Sequence, residues 1–492
     1  MKNPFHTFAL VCVIFIVHVA CNSSDKATFT VHLPKQPNVE IIISPSEVLE
    51  ATPILSTRTD SLGNRVFDIE VGKPKFVYLK IGNSYGELYV SPGDELMIEK
   101  SPQGSAVPFY HSGNGAEVNN YLAWVNTHTD RIRMAGNVPL PDMSDEQFLK
   151  RYDSLKTTIN NFHAQYTDSV VLSEKDEALL VRKNQIKMLT VSQEYKFYRA
   201  NAALIEKREH RDNGTLFLEA EISPEIENLT NEVPFVPDLL TDGYSDYQML
   251  LNFFWHNVIY LPASEQVQLA NRKENLLPLM TDSLIDKADY PAEVQHFIKS
   301  FNINFWLSRY GITPETDSVF ARLQRTNAHS KYTQVVQKQY NEWLGVQPGK
   351  PAPDLTGSTP DGSQLSIRDL RGKLIYIDVW ATWCAPCVAE IPASKKLQEK
   401  FAKEPGVVFL NVSVDYEKEH WDNFMAKDTT WKGLHLIIAA DEIQSFYKRY
   451  KMSYVPRYMI IDKSGNIVTL SAPRPSDEQA STQLQALLAQ TL

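Results

Sequence analysis

A proline-dense segment, residues 347–353, divides the chain into two parts whose sequence patterns differ. After it, short apolar runs alternate with helical stretches. The apolar runs predict strands at 374–380, 407–414, 434–438, 458–461 and 467–470, and the helical stretches lie at 385–402, 417–427, 442–450 and 476–488. Because strands that alternate with helices assemble into one sheet covered by helices, residues 346–492 are predicted to form an α/β domain.

The part before the proline-dense segment contains two further patterns. Over residues 28–110, short runs rich in β-branched and aromatic residues are separated by Gly-Asn and Pro-Gly turns, which predicts a small β-sandwich. Over residues 111–345, apolar residues recur three and four positions apart, in stretches such as 146–166 and 174–206. This spacing is typical of helices and predicts an all-α region. The 492-residue chain is therefore predicted to be multidomain.

Residues 1–20 predict a secretory signal peptide. A basic residue precedes an unbroken apolar run, residues 8–17, that is shorter than the about 20 apolar residues a membrane-spanning helix needs. The Ala20-Cys21 pair resembles the processing site of a bacterial lipoprotein, which implies cleavage before Cys21 and lipidation of its thiol. Residues 21–27 would then form a tether, and the protein would lie in the periplasm or at the cell surface, anchored to a membrane by lipid. The alternative is an ordinary cleaved signal with Cys21 unmodified.

The charge balance argues against a nucleic-acid-binding protein. Lys and Arg number 49 and Asp and Glu number 59, which gives a net charge of −10 without basic runs. Since binding to phosphates needs clustered cations, no nucleic acid partner is expected. The histidines show no paired ligand spacing, so no metal site is expected either.

Two of the four cysteines, Cys384 and Cys387, lie three positions apart between a predicted strand and a predicted helix. The positive end of a helix dipole and its free N–H groups favour a thiolate at Cys384. Cys387 lies about one helical turn further along, where it can attack a mixed disulfide on the first cysteine. Pro386 suits a first helical turn. The pair predicts dithiol redox chemistry that needs no other cofactor.

Zinc binding and a structural disulfide are the alternatives for this cysteine pair. A structural zinc site needs four ligands, and the sequence offers neither a second cysteine pair nor a suitably spaced histidine pair. A disulfide that closes so short a loop at a helix start is an unusual structural link. The strand–helix context therefore favours a redox-active pair.

Residues 377–392, IDVWATWCAPCVAEIP, resemble the active-site segment of thioredoxin-like proteins. The continuation through Glu390 and a proline is similar to the TlpA/ResA-like branch, whose members are exported disulfide reductases. Residues 348–355, PGKPAPDL, resemble the opening of that branch, and Val455-Pro456 before a predicted strand matches its cis-proline site. The resemblance covers residues 346–492 and implies a thioredoxin-like fold with thiol–disulfide oxidoreductase activity.

The resemblance implies a catalytic role for four residues. Cys384 would be the exposed nucleophile and Cys387 the resolving thiol, and the two would form the redox disulfide. Asp378 occupies the position of the buried acid that relays a proton for the second cysteine, and burial would raise its pKa toward neutrality. An Asp paired with a nearby Lys is the alternative. Glu390 lies on the same helix face as Cys387 and could share or replace that role, or could be a solvated carboxylate.

The resemblance also implies which residues contact a substrate. They are Trp383, Ala385, Pro386, Val455 and Pro456. Trp383 is expected to shield the sulfurs, with ordinary packing as the alternative. A cis bond before Pro456 would turn the Val455 backbone toward the cysteines, where it could bond to an extended substrate peptide. Only about 5% of X–Pro bonds are cis, so this expectation comes from the resemblance.

The sequence thus predicts an exported thiol–disulfide oxidoreductase that acts on protein or peptide disulfides and thiols, with electrons from an unidentified membrane or periplasmic donor. The Ala-Pro spacer carries no cation, which indicates a reductase. One alternative is a peroxiredoxin-like peroxidase, although position 381, three before Cys384, is Ala rather than the Thr typical of such enzymes. The other is a binding protein in which residues 28–345 capture a partner and redox chemistry is secondary.

Overall fold

The structure is a computed structural model that describes residues 25–46, 53–101, 107–134, 140, 143–207, 222–231, 233–269, 274–427, 430–452 and 454–489. The predicted signal peptide, Cys21 and the first residues of the predicted tether lie outside these ranges. Within them, no helix is both long enough and apolar enough to cross a bilayer.

The first compact unit comprises the described residues of 1–44 and 53–124. It contains two four-stranded sheets, ordered β4-β1-β7-β8 and β3-β2-β5-β6. The strands are β1 (Lys26–His32), β2 (Glu40–Pro45), β3 (Leu55–Arg58), β4 (Asn64–Glu70), β5 (Lys75–Ile81), β6 (Ser84–Val90), β7 (Glu95–Lys100) and β8 (Phe109–Asn114). Alternate residues of β1 are buried in one apolar core to which both sheets contribute, as the strand period of two requires.

The second compact unit comprises the described residues of 45–52 and 125–492. Helices make up its part before the proline-dense segment, and a π-helical turn, Trp255–Tyr260, joins α6 to α7. The chain's helices up to this segment are α1 (Ala116–Met134), α2 (Asp145–Ser169), α3 (Glu174–Lys207), α4 (Pro224–Asn231), α5 (Pro237–Thr241), α6 (Ser245–Phe254), α7 (Leu261–Leu269), α8 (Leu277–Lys287), α9 (Ala292–Tyr310), α10 (Pro314–Asn327) and α11 (Lys331–Leu344).

A seven-stranded sheet follows the proline-dense segment, in the order β10-β9-β13-β12-β11-β14-β15. Its strands are β9 (Thr356–Ser358), β10 (Gln364–Ser366), β11 (Leu374–Trp380), β12 (Val407–Ser413), β13 (Leu434–Ile437), β14 (Arg457–Ile461) and β15 (Ile467–Thr469). Its helices are α12 (Ala385–Lys400), α13 (Lys418–Lys427), α14 (Ile443–Arg449) and α15 (Glu478–Ala489). The five predicted strands are present, and β9 and β10 are added to them.

Strand β11 lies at the centre of this sheet, parallel to β12 and antiparallel to β14. All seven of its residues are buried, since helices cover both faces of the sheet. Leu374 and Tyr376 pack with residues of α12 and α15. Ile375, Ile377 and Val379 pack on the opposite face with residues of α13 and α14.

The same core continues into the helices before the proline-dense segment. Leu307 of α9, Phe320 of α10 and Trp343 of α11 belong to the cluster that contains Ile377 and both cysteines of the CxxC motif. The predicted boundary between residues 345 and 346 therefore lies within one hydrophobic core.

Helix α9 ends at Tyr310 because Gly311 takes a backbone conformation that side chains disfavour. Its φ is 71° and its ψ is −155°, and its N–H closes the last turn by donating to the Leu307 carbonyl. A Cβ built on Gly311 would lie 3.1 Å from the ring of Trp343. Both the backbone angle and the close ring therefore require glycine at this position.

We expect Gly311→Ala to lower the free energy of unfolding by about 1–3 kcal/mol, the usual cost of a non-glycine residue in such a conformation. The measurement is urea unfolding followed by circular dichroism. Gly345→Ala is the matched control, because this glycine follows α11 with a φ of −72° and its Cβ would meet only ordinary contacts. Equal unfolding midpoints for the two variants would contradict the requirement for glycine at 311.

Candidate active site

The CxxC motif lies where the buried strand β11 gives way to helix α12. Cys384 is the N-cap residue of α12, with extended backbone angles, and its Sγ accepts the N–H of Cys387 at 3.2 Å. Pro386 lies in the first turn, where its missing N–H removes no helical hydrogen bond. The predicted strand–motif–helix arrangement is present, with the N–H of Cys387 directed at the first sulfur.

The two cysteines form a disulfide, with an Sγ–Sγ distance of 2.04 Å and a Cα–Cα distance of 5.3 Å. Cys384 is 5% exposed and Cys387 is 3% exposed. The expectation of an exposed Cys384 is wrong for this oxidised state, because its sulfur is bonded to Cys387 and faces the first turn of α12. A reaction partner must therefore approach through the surface beside the motif.

That surface includes a groove of about 340 Å³, which is lined by Trp383, the residue before Cys384, and by neither cysteine. Four aromatic side chains and three aliphatic ones line it: Trp383, Tyr416, Tyr447, Tyr454, Val414, Ile443 and Val455. Two of the predicted substrate-contact residues, Trp383 and Val455, are among them. Ala385 is exposed and Pro386 half-buried at the start of α12, and both lie outside this lining. Trp383 is 60% exposed.

The Val455–Pro456 peptide bond is cis, which confirms that expectation. Pro456 is half-buried and directly precedes β14, the strand that pairs with β11. Among the described residues, neither the N–H nor the C=O of Val455 has a backbone hydrogen-bond partner. The backbone of this residue is therefore available at the wall of the groove.

Asp378 is buried near the middle of β11, opposite Tyr458 of β14. Burial, and to a lesser extent the charge of Glu390, raise the pKa of Asp378 to about 8. Its Oδ1 has no hydrogen-bond partner among the residues described. No lysine in the described chain pairs with Asp378, so the alternative of an Asp–Lys pair finds no support there.

Glu390 belongs to α12 and is only 6% exposed, so it is not the solvated carboxylate of the alternative interpretation. It accepts the N–H of Ser476 at 3.2 Å and the hydroxyl of Ser476 at 2.9 Å. Arg474 Nη1 lies 3.8 Å from its Oε1. The two carboxyl groups therefore differ. Glu390 is paired and hydrogen-bonded, whereas burial favours the protonated, neutral form of Asp378.

The part of the chain after residue 346 is similar to known proteins. The Redoxin family model matches residues 347–488. The thiol-disulfide oxidoreductase ResA of Bacillus thuringiensis (strain Al Hakam) is 30% identical over 142 residues, which is 29% of this chain and 79% of that protein. The thioredoxin-like protein YneN of Bacillus subtilis (strain 168) is 36% identical over 124 residues, 25% of this chain and 71% of that protein.

The chain belongs to the thioredoxin-like family, in its TlpA/ResA-type branch. It is a thioredoxin-like oxidoreductase. Solved structures that resemble this part include the thioredoxin domain of a thiol-disulfide oxidoreductase from Bacteroides vulgatus, with 23% identity, a TM-score of 0.27, and coverage of 29% of this chain and 97% of that one. Another is a thioredoxin family thiol:disulfide interchange protein from Chlorobium tepidum TLS, with 26% identity, a TM-score of 0.25, and coverage of 29% and 99%.

Sequence reasoning missed Asp415 in the thioredoxin-like part. This residue is 1% exposed and follows β12. Its carboxylate accepts the N–H of Thr382 at 3.1 Å, the hydroxyl of Thr382 at 2.6 Å and the hydroxyl of Ser413 at 2.7 Å. It thereby fixes the loop that presents Cys384. An Asp directly after a buried apolar strand was the available signal, because such strand ends meet at the same edge of a sheet.

No group of three or more His, Cys, Asp and Glu side chains within the described ranges is arranged to hold a metal ion.

The raised pKa of Asp378 makes folding stability depend on pH. The native carboxyl group keeps its proton to about pH 8, whereas the unfolded chain releases it near the ordinary pKa of 3.8. Between these values the native state binds the extra proton, so this group makes stability fall as pH rises. We expect Asp378→Asn, which cannot ionise, to gain stability over the wild type from about pH 5 to about pH 8, by up to about 1.4 kcal/mol per pH unit.

The measurement is urea unfolding of the oxidised wild-type and variant proteins across this pH range. Glu399→Gln, at an exposed position of α12, controls for the loss of one negative charge. A stability difference between Asp378→Asn and wild type that stays constant with pH would contradict the raised pKa.

Proposed function

We propose that this protein is an exported, membrane-anchored disulfide reductase that acts on protein or peptide disulfides through Cys384 and Cys387. The observation that carries the proposal is the Cys384–Cys387 disulfide at the start of α12, directly after Trp383, which lines an open groove. The thiol-disulfide oxidoreductase activity of the ResA relatives supports the reaction type. The apolar run at 8–17 and the Ala20-Cys21 pair support export and lipid anchoring at Cys21, in the periplasm or at the cell surface.

In the first step, the Cys384 thiolate attacks one sulfur of a substrate disulfide. The substrate S–S bond breaks, a mixed disulfide with Cys384 forms, and the other substrate sulfur leaves as a thiolate. The N–H of Cys387, which points at the Cys384 sulfur, stabilises the thiolate before attack.

In the second step, Cys387 loses its proton and attacks the Cys384 sulfur. The mixed disulfide breaks, the second substrate thiolate leaves, and the Cys384–Cys387 disulfide forms. The substrate gains two electrons and leaves as two thiolates, which take up two protons from water, while the protein loses two electrons and the Cys387 proton. Asp378 is the proposed acceptor of the Cys387 proton in its ionised form, which a pKa of about 8 makes the minor form at neutral pH and the major form above about pH 8. A donor dithiol returns the protein to its reduced form and becomes a disulfide itself.

The groove favours an extended polypeptide with apolar side chains over a small polar disulfide. Its lining is mainly aromatic and aliphatic. The Val455 backbone offers one N–H and one C=O to a peptide lying in the groove, as in strand addition. Trp383 and Pro456 flank this position and would contact the substrate on either side of the reacting cysteine.

Substitution of each cysteine in turn tests the nucleophilic role of Cys384 and the resolving role of Cys387 separately. We expect Cys384→Ser to abolish insulin disulfide reduction, because the attacking sulfur is lost. Cys387→Ser should instead accumulate mixed disulfides with substrate proteins, since nothing resolves them. Non-reducing gels and mass spectrometry of lysates detect the trapped partners, and the double variant Cys384→Ser/Cys387→Ser is the matched control without trapping.

Turnover by Cys384→Ser would refute the nucleophile assignment. Peroxide consumption by the wild type, at a rate exceeding insulin reduction, would favour a peroxidase over a disulfide reductase.

The reduction potential tests the direction of electron flow. No cation stands between the cysteines to stabilise the thiolate further, so we expect a value closer to the about −270 mV of thioredoxin than to the about −120 mV of a strong oxidant. Equilibration with glutathione buffers, followed by alkylation and mass analysis, gives this potential. A value above about −180 mV, that of an oxidising isomerase, would overturn the reductase assignment.

A further inference from the structure

Arg457 is a buried cation at the end of the cis-proline segment, residues 454–457, which contains the cis bond between Val455 and Pro456. It is the first residue of β14, opposite Val379 of β11, and only 4% of it is exposed. No carboxylate of the described chain pairs with it. Burial lowers the pKa of its guanidinium, and an unpaired charge removed from water is costly unless other polar groups replace the water. The groups that contact this guanidinium therefore indicate its role.

The C-terminal end of α9 supplies most of these groups. Arg457 Nη2 donates to the Ser308 carbonyl at 2.9 Å, and Nη1 donates to the Arg309 carbonyl at 3.2 Å. Nη1 also donates to the Ser471 hydroxyl at 2.7 Å, which in turn donates to the Arg309 carbonyl at 2.8 Å. The last carbonyls of a helix have no partner within it and carry the negative end of its dipole. These carbonyl oxygens therefore accept the hydrogen bonds of Arg457 in place of a carboxylate partner.

The guanidinium also contacts Tyr454. Its Cζ lies 5.0 Å from the centre of the Tyr454 ring, and Nη1 lies 3.5 Å from the Tyr454 hydroxyl. Tyr454 is 43% exposed and lines the groove, one residue before Val455. A continuous set of contacts therefore runs from the end of α9 through Arg457 to the wall of the groove.

We propose that Arg457 is a positioning residue, which holds Tyr454 and the cis-proline segment in the geometry that receives a polypeptide substrate. The proposal rests on the reductase function described above and extends it: the helical region before the proline-dense segment helps to shape the groove through the end of α9. Arg457 does not touch the sulfurs and takes no part in electron transfer. Its loss should therefore weaken binding of large substrates and leave the sulfur chemistry intact.

The test compares a protein disulfide with a small one, using the full chain. In Arg457→Lys the charge remains and the forked pair of donors is lost. We expect kcat/KM for insulin to fall about tenfold, mainly through KM, as for the loss of one charge-assisted hydrogen bond. The rate with the small disulfide 5,5′-dithiobis(2-nitrobenzoic acid) and the reduction potential should remain at wild-type values.

Two further variants keep the test decisive if Arg457→Lys folds poorly. Tyr454→Leu changes a partly exposed ring and leaves the buried charge in place, and should raise KM for insulin in the same way. Glu342→Gln is the matched control. It breaks the 2.6 Å ion pair between Glu342 of α11 and Lys451, another contact between the helices and the segment before the cis-proline, and should leave KM for insulin unchanged.

Equal losses with insulin and with the small disulfide in Arg457→Lys, or an unchanged KM for insulin in Tyr454→Leu, would overturn the positioning role. An increase in KM in Glu342→Gln as large as in the other variants would overturn it too, by showing a general effect of loosened packing. A wild-type protein no more active than Cys384→Ser would overturn the proposed function itself, and the positioning role with it.

Discussion

The start of helix α12 is the constraint on which the site depends. A helix leaves its first N–H groups without partners inside the helix, and this chain places a cysteine sulfur at that position. The N–H of Cys387 is directed at the Cys384 sulfur, and the helical turn brings the second sulfur within bonding distance of the first. The buried strand β11 on one side and Asp415 on the other hold the preceding loop in place.

The two carboxyl groups near α12 illustrate how burial acts differently on chemically similar side chains. Glu390 is buried together with donors from Ser476 and a guanidinium from Arg474, so its charge has partners. Asp378 is buried among strand residues without such donors, and its neutral form is favoured. Asp378 of β11 therefore holds its proton, while Glu390 links α12 to the segment before α15.

The helices before the proline-dense segment are part of the environment of the thioredoxin-like sheet. Residues of α9, α10 and α11 share the core that contains the disulfide. The end of α9 also satisfies the buried Arg457, whose guanidinium contacts a residue of the groove wall. Because a close-packed interior resists small displacements of its side chains, the end of α9 can hold Arg457, and through it Tyr454, in a defined position.

The local parts of the site can be predicted from the order of the amino acids. The strand–CxxC–helix order, the helix start at Cys384 and the central strand β11 follow from apolar runs and capping chemistry, which act over a few residues. The cis bond before Pro456 was predicted from the family resemblance. Strands β9 and β10 were not predicted, because each has only three residues and so shows no recognisable alternation of apolar and polar residues. They join the sheet through the pairing of β9 with β13, which lies far along the chain.

Which groups meet across long separations in the chain depends on how the helices and strands pack. The burial of Cys384, the pairing of Glu390 with Ser476, and the contact of Arg457 with the Arg309 carbonyl 148 residues earlier join segments far apart in the chain. No local pattern encodes such partners, since an acidic residue or an arginine looks the same in the sequence whether its side chain contacts water, a helix end or an opposite charge. The fold fixes that choice through the free energy of burying each charged group with whichever partners the packed elements bring to it.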